Sequence, residues 1–415
     1  MARNIGTRRG TFLAAAVAAL AAAGLAPGLA PGLAVAQQSG GHRAWLEGVK
    51  QEAASQGISE ATLAAAFEGW QPLSRVLELD RRQPEYSQTF WSYLNRAVSP
   101  ERIRRGRELL VVHKKLLAGI ERRYGVQGRF LIAFWGLETN YGADTGGFPA
   151  IEALATLAYD ERRAAFFRAQ LFDALQILES GDIALKRMTG SWAGAMGQVQ
   201  FMPETFRRHA VDGDGDGKRD IWFSLPDVFA SGANFLKSMN WQGDQTWGRE
   251  VRLPAGFDWA LADLELRKPV IEWQRLGVRT AEGHALPPVA IEGSILLPGG
   301  HKGPAFLVYE NFRAILGWNR SLLYAVAVGH LADRITGKGP LLTPPPTDDR
   351  PLSRQEVAEM QRLLATHGLD VGAPDGVVGA QTRSALRAFQ RQHDLPPDGY
   401  PTAWLLDQLR RSRSQ

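Results

Sequence analysis

Residues Phe134 to Gly142 read FWGLETNYG, and set one carboxylate, Glu138, against the apolar run Phe130 to Leu137. A glutamate there is either the last side chain of a helix reaching solvent or an acid kept protonated by a dry neighbourhood. Phe134, Trp135 and Leu137 are the apolar residues nearest to it. Further on, MTGSWAGAMGQVQFMPETF (188–206) is rich in Gly and Ala, which permit close backbone approach to a ligand. Within it, Ser191 and Gln200 offer neutral hydrogen-bonding groups; the plainer reading is a tightly packed helix junction.

The stretch DGDGDGKRDIWFSLPD begins at Asp212. Asp212, Asp214 and Asp216 alternate, Gly217 allows the sharp turn, and Lys218 falls where an EF-hand loop uses a backbone carbonyl. Asp220 takes the ninth place; the twelfth, where a bidentate Glu belongs, is Phe223, and Asp227 is the carboxylate that could close the shell. Hard oxygen donors at this spacing suit calcium rather than zinc; a solvated acidic turn is the alternative. In GWNRSLLYAVAV, Asn319 and Tyr324 stand at the start of an apolar helix, as capping and packing residues or as ligand contacts. There is no HExxH helix and no GxSxG elbow, and the eight histidines are scattered, so a zinc peptidase or a serine hydrolase finds no support.

The elements that must position these groups are mainly helical from about Trp45 to Leu236. Ser59 is a plausible N-cap, and SPERIRRGRELLVVHKKLLAGIERRYG reads as one amphipathic helix from Ser99-Pro100 to Gly125. DERRAAFFRAQLFDALQILESGDI reads as another. Between about 246 and 308 the texture changes to short β-type runs, EVRLP, KPVIEWQRLGV, VAIEGSILLP and PAFLVYE, bounded by Gly and Pro. Helix returns at SLLYAVAVGHLADRI. Residues 339–352, with Pro344 to Pro346, form a semi-rigid linker. A three-helix module over 353–412 follows, with Gly376 and Gly379 shaping a turn and Thr382 opening a helix.

The 415 residues allow two or three domains. Residues 1–36 carry Arg3, Arg8 and Arg9, an apolar FLAAAVAALAAAGLA and a small-x-small pattern ending at Ala36, which is a secretory signal peptide. Pro27 and Pro31 argue against a lasting membrane span. The arginine pair is similar to a twin-arginine signal, with Phe-Leu one place late. Cleavage takes three of the 48 basic residues, leaving 45 against 43 acidic ones, a formal charge of +2 rather than +5. No basic helix or basic–aromatic strand suggests nucleic acid. With no cysteine, disulfides, thiolate metal sites and a lipidated amino-terminal cysteine are excluded, and a cleaved product should be soluble outside the cytoplasm, in the periplasm.

Taken in order, FWGLETNYGADTGGFPAIEALATLAYDERR, GSWAGAMGQVQFMPETF, the aspartate loop and NRSLLYAVAV resemble the lytic murein transglycosylase B family, over about residues 42–338. The last module resembles small helical peptidoglycan-binding domains of the DG-x-x-G-x-x-T type. The resemblance implies a lysozyme-like, mainly α (α+β) catalytic domain with a small β-rich subdomain. It implies that the enzyme cleaves peptidoglycan glycan strands to 1,6-anhydro sugars. Glu138 matches the sole catalytic acid, Ser191, Gln200, Asn319 and Tyr324 the sugar contacts, and Asp212, Asp214 and Asp216 the ligands of a structural calcium; no cofactor is implied for the chemistry. A hydrolytic muramidase and a non-catalytic wall-binding protein are the competing readings. The first would ordinarily need a second carboxylate, for which Asp144 is nearest in sequence.

Overall fold

Most apolar periodicity in the chain resolves into helix. The computed structural model describes residues 38–81, 88–347 and 350–412, so the signal segment 1–36 lies outside the described residues. Among the described residues there are seventeen α-helices and seven short strands. No described helix is long and apolar enough to cross a membrane. The chain divides into two compact units, one of Met1–Arg82 with Phe134–Phe235, the other of Gln83–Ala133 with Leu236–Gln415, and the division falls inside the helix Gly128–Thr139.

The first unit is built on the helix Ala150–Tyr159 packed against Ala164–Glu179, with Glu60–Ala66, Ser74–Arg81 and Pro203–His209 laid on this pair. The sequence explains the arrangement: eight of the ten residues of Ala150–Tyr159 are buried, including Leu154 and Leu157. Strands β1 (Phe148–Pro149) and β2 (Thr189–Gly190) pair antiparallel beside this core. Ser59 caps its helix by accepting from the Thr62 amide. The expected helix from Asp160 instead starts with a 3₁₀ turn, Glu161–Arg163, because the Asp160 carboxylate accepts from the Arg162 amide and tightens the entry.

In the second unit, β3 (Gly248–Arg252), β4 (Lys268–Pro269), β5 (Arg279–Thr280), β6 (Glu292–Leu296) and β7 (Ala305–Val308) form one antiparallel sheet in the order β4-β6-β7-β3-β5. Its core gathers Val251, Val270, Trp273, Ile295 and Leu307. KPVIEWQRLGV departs from its β-type texture: after Pro269 it turns into the helix Val270–Arg275. Val270 and Trp273, three residues apart, share one buried face, and the Trp273 indole donates to the Gly293 carbonyl at 2.9 Å. The long helix expected from Pro100 to Gly125 is two, Pro100–Val112 and Lys114–Tyr124, broken at His113. The β-branched pair Val111-Val112 at the break is exposed, so no packing offsets its poor helix preference. Ser99 caps the first helix and Gly125, at φ 75°, closes the second.

The helix Leu322–Ile335 lies at the centre of this unit, packed on Phe90–Ala97, Pro100–Val112 and Glu310–Trp318. The carboxy-terminal helices Arg354–Thr366, Ala380–Gln392 and Ala403–Ser412 enclose a core of their own that includes Leu364, Leu386, Phe389 and Leu406. This module rests against the turn between β6 and β7. There the His301 amide donates to Asp398 Oδ2 at 2.8 Å, and His301 Nδ1 lies 2.6 Å from the same oxygen. The linker is also held, since the Leu342 and Thr343 amides donate to the Glu250 carboxylate at 2.7 and 2.8 Å.

Candidate active site

Glu138 stands in the last turn of the helix Gly128–Thr139 and is only 8% exposed. Helical spacing puts Phe134 and Trp135, four and three residues back, on its side, and both are buried. Leu137 points elsewhere and is half-buried. Past the helix the chain reverses sharply. Asn140 and Tyr141 adopt φ of 50° and 62°, the Tyr141 amide donates to the Trp135 carbonyl at 3.1 Å, and Asp144 donates its amide to the Thr139 carbonyl at 2.9 Å. The Tyr141 ring folds back over Gly136, where an added Cβ would sit 2.7 Å from it. Asp144 itself is exposed.

The segment 190–201 is a tight strap without helix. Its bridges pair Gly190 with Met196 and Met196 with Phe201. A Cβ at Gly190 would lie 2.1 Å from the Ala195 carbonyl oxygen, so only glycine fits this crossing. On the strap, Ser191 Oγ accepts from the Ala195 amide at 3.1 Å, which leaves its hydroxyl proton to donate. Gln200 has φ 50°, and its side-chain NH₂ donates to the carbonyls of Gly197 and Thr145 at 2.8 and 3.1 Å. Three of the five non-glycine residues with positive φ among the described residues thus flank Glu138 or lie on this strap, and strain of this kind gathers at functional sites.

Gln198, a residue that sequence reasoning passed over, ties these parts together. Trp135 Nε1 donates to its Oε1 at 2.8 Å, its Nε2 donates to the Trp222 carbonyl at 2.8 Å, and its own carbonyl accepts from Thr139 Oγ1 at 2.9 Å. One glutamine therefore joins the Glu138 helix, the strap and the exit of the aspartate loop. The QVQ spacing was visible, and both glutamines are buried, but spacing does not say which partners each one meets.

In the aspartate loop, carboxylate oxygens of Asp212, Asp214 and Asp227 come within 4.8 Å of one another. Asp227 is wholly buried; burial pushes its carboxyl up, opposed by amides of Gly213 and Asp220 that donate to it at 2.8 and 2.7 Å. Asp212 is held below the usual carboxylate range, chiefly by the Gly217 amide. Asp216 is outside the converging trio and accepts from the Lys218 amide at 2.8 Å. Two carboxylates gathered around a buried third suit a hard divalent cation.

Asn319 and Tyr324 belong to the second unit. The cap of the helix Leu322–Ile335 is Ser321, which accepts from the Tyr324 amide; Asn319 follows the preceding helix and its Oδ1 accepts from the Ser321 amide at 3.0 Å. Tyr324 is buried and Asn319 half-buried.

A family profile for the transglycosylase SLT domain matches residues 41–333, and one for a peptidoglycan-binding domain matches 353–409. The membrane-bound lytic murein transglycosylase B of Escherichia coli K12 is 28% identical over 256 residues, which cover 59% of this chain and 66% of that relative. SltB3 of Pseudomonas aeruginosa, solved in complex with NAG-anhNAM-pentapeptide and with NAG-NAM-pentapeptide, is 50% identical, with a TM-score of 0.86 over 89% of this chain and 99% of its own. The Escherichia coli lytic transglycosylase Slt35, solved in complex with calcium, is 24% identical, with a TM-score of 0.60 over 71% of this chain and 92% of its own; that likeness bears on the fold alone.

Proposed function

This chain belongs to the SLT transglycosylase family, and from that premise we propose that it cleaves the β-1,4 bond from N-acetylmuramic acid to N-acetylglucosamine, with Glu138 as its single acid and base. A glycosidic oxygen leaves readily only once protonated. Glu138 gives its proton to that oxygen as the bond to C1 breaks. The carboxylate so formed takes the proton of the muramic acid 6-hydroxyl as O6 bonds to C1. The sugar closes to its 1,6-anhydro form, Glu138 is again protonated, and no water is consumed. Carrying nucleophile and electrophile in one ring supplies proximity. The single observation behind the reading is a carboxyl only 8% exposed at the end of an apolar helix.

In this reading the Ser191 hydroxyl and the Gln200 amide, and Asn319 and Tyr324 of the second unit, position the N-acetyl and hydroxyl groups and stabilise developing charge with oriented dipoles. SltB3 is solved in complex with NAG-anhNAM-pentapeptide as well as with NAG-NAM-pentapeptide, which supports the same product here. Asp212, Asp214 and Asp227, with Asp216 and the Lys218 carbonyl as the remaining donors, would hold calcium. That ion stiffens the loop and supplies no step of the chemistry. The carboxy-terminal module holds the enzyme on the wall. The leader exports the chain to the periplasm, where that polymer lies.

Mass spectrometry of soluble products from purified sacculi tests this reading. The natural chain should release fragments ending in anhydro-muramic acid, and Glu138→Gln should lower their release by about 10²-fold or more with the fold intact. Products heavier by one water would make the protein a muramidase. Digestion unchanged by the substitution would remove Glu138 from the chemistry.

A further inference from the structure

Val111 and Val112, at the elbow between the helices Pro100–Val112 and Lys114–Tyr124, are 74% and 71% exposed, more than any other large apolar side chain among the described residues. Two β-branched residues that end a helix in water weaken it and gain no packing, so the stability of the fold does not account for them. The elbow that carries them is well held. The His113 amide donates to the Leu109 carbonyl and the Leu117 amide to the His113 carbonyl, each at 2.9 Å, and Leu109 and Leu117 are both buried.

Cations surround the two valines. Lys114 and Lys115 follow at once and are exposed, and the exposed Arg122, seven residues past Lys115, shares its face of the second helix. Arg104 and Arg105 are already paired with Glu101 and Glu108, whereas among the described residues no carboxylate pairs with Lys114, Lys115 or Arg122. Residues 100–124 hold eight basic and three acidic side chains, an excess of +5 that equals the formal charge of the whole 415-residue chain. The positive excess of the molecule is therefore gathered on these two helices, around its most exposed apolar spot. A nucleic acid would be met by the cations without the valines, and an apolar groove by the valines without the cations. The two together suit a bilayer surface, where lysines meet anionic headgroups and short apolar side chains reach the acyl boundary.

We propose that the elbow Val111–Lys115 docks the enzyme peripherally on a membrane surface rich in anionic lipid. The proposal goes beyond the peptidoglycan reading and does not depend on Glu138. Docking there confines cutting to strands within reach of that membrane.

Co-sedimentation with vesicles tests this. The chain is used without residues 1–36, because that apolar leader would itself enter a bilayer. It should pellet with vesicles of phosphatidylcholine and phosphatidylglycerol, and not with phosphatidylcholine alone. Lys114→Glu combined with Lys115→Glu should weaken binding by about 25-fold or more, about fivefold for each cation removed. Val111→Asn combined with Val112→Asn keeps every charge and should weaken binding about tenfold. Both double variants replace exposed side chains and should melt as the natural chain does. No pelleting, equal pelleting with the two kinds of vesicle, or undiminished binding by the lysine variant overturns the proposal. So does a loss confined to the lysine variant, which would make the partner an acidic polymer or protein rather than a bilayer.

Discussion

At the scale of single residues, the buried polar side chains differ in what holds them. Gln198 is the anchored kind, with both ends of its amide and its backbone carbonyl engaged. His330 is another buried polar side chain. Burial, reinforced by the Arg334 charge, brings its imidazole down to about 4, against an opposing pull from Asp333. The unfolded imidazole binds a proton below about 6.5, the folded one only below about 4, so the unfolded state binds more protons in between. Stability from this group is therefore complete above pH 6.5 and falls as the pH drops to 4, by about 3 kcal/mol in all. Denaturant unfolding at pH 7 and at pH 4.5 should show a smaller acid loss in His330→Asn than in the natural chain; equal losses would place the acid sensitivity elsewhere. Among the candidate site residues, Glu138 stands out in the sequence because a carboxylate against eight apolar neighbours is conspicuous. Gln198 does not, because its partners Trp135, Thr139 and Trp222 are distant in sequence and only the fold brings them to it.

At the scale of elements, local chemistry was readable where it acts within one turn. Ser59, Ser99 and Ser353 each cap a helix, and Ser353 makes a reciprocal box with Glu356, whose carboxyl is brought to about 2, first by Arg350 and then by the Ser353 amide. The break at His113 and the helix inside KPVIEWQRLGV depend on what packs against them, which spacing alone does not encode. The aspartate loop combines both levels: its first acids are visible as a pattern, and Asp227, offered by the sequence to close the shell, reaches in from the start of the helix Leu225–Ser238. An ion bound by this loop only in the folded chain adds stability by mass action. Thermal melting after dialysis against a calcium chelator should lower the midpoint by several degrees, and restored calcium, but not magnesium, should return it. An unchanged midpoint would leave the loop as an acidic turn held by its own amides.

At the scale of the whole molecule, the two matched profiles, 41–333 and 353–409, put a transglycosylase domain and a peptidoglycan-binding domain on one chain. Cutting the chain before Ser353 should weaken its retention on insoluble sacculi, read as the fraction pelleted, while release of anhydro products from soluble strands persists. Equal pelleting of the two forms would deprive the module of its holding role.

The contact between His301 and Asp398 changes how that holding works. Burial alone would raise the Asp398 carboxyl, yet the hydrogen bonds from His301, the Tyr400 amide and Gln390 outweigh it and keep it low. A domain on a slack leash searches a volume set by leash length, and lengthening the leash dilutes it. Here the prolines form a strut pinned at Glu250, and the reach of the module is set by where it rests. Extra glycine and serine in the strut would thus alter little while the imidazole keeps its grip. The parameter open to evolutionary tuning is the angle of a bracket, not the length of a tether.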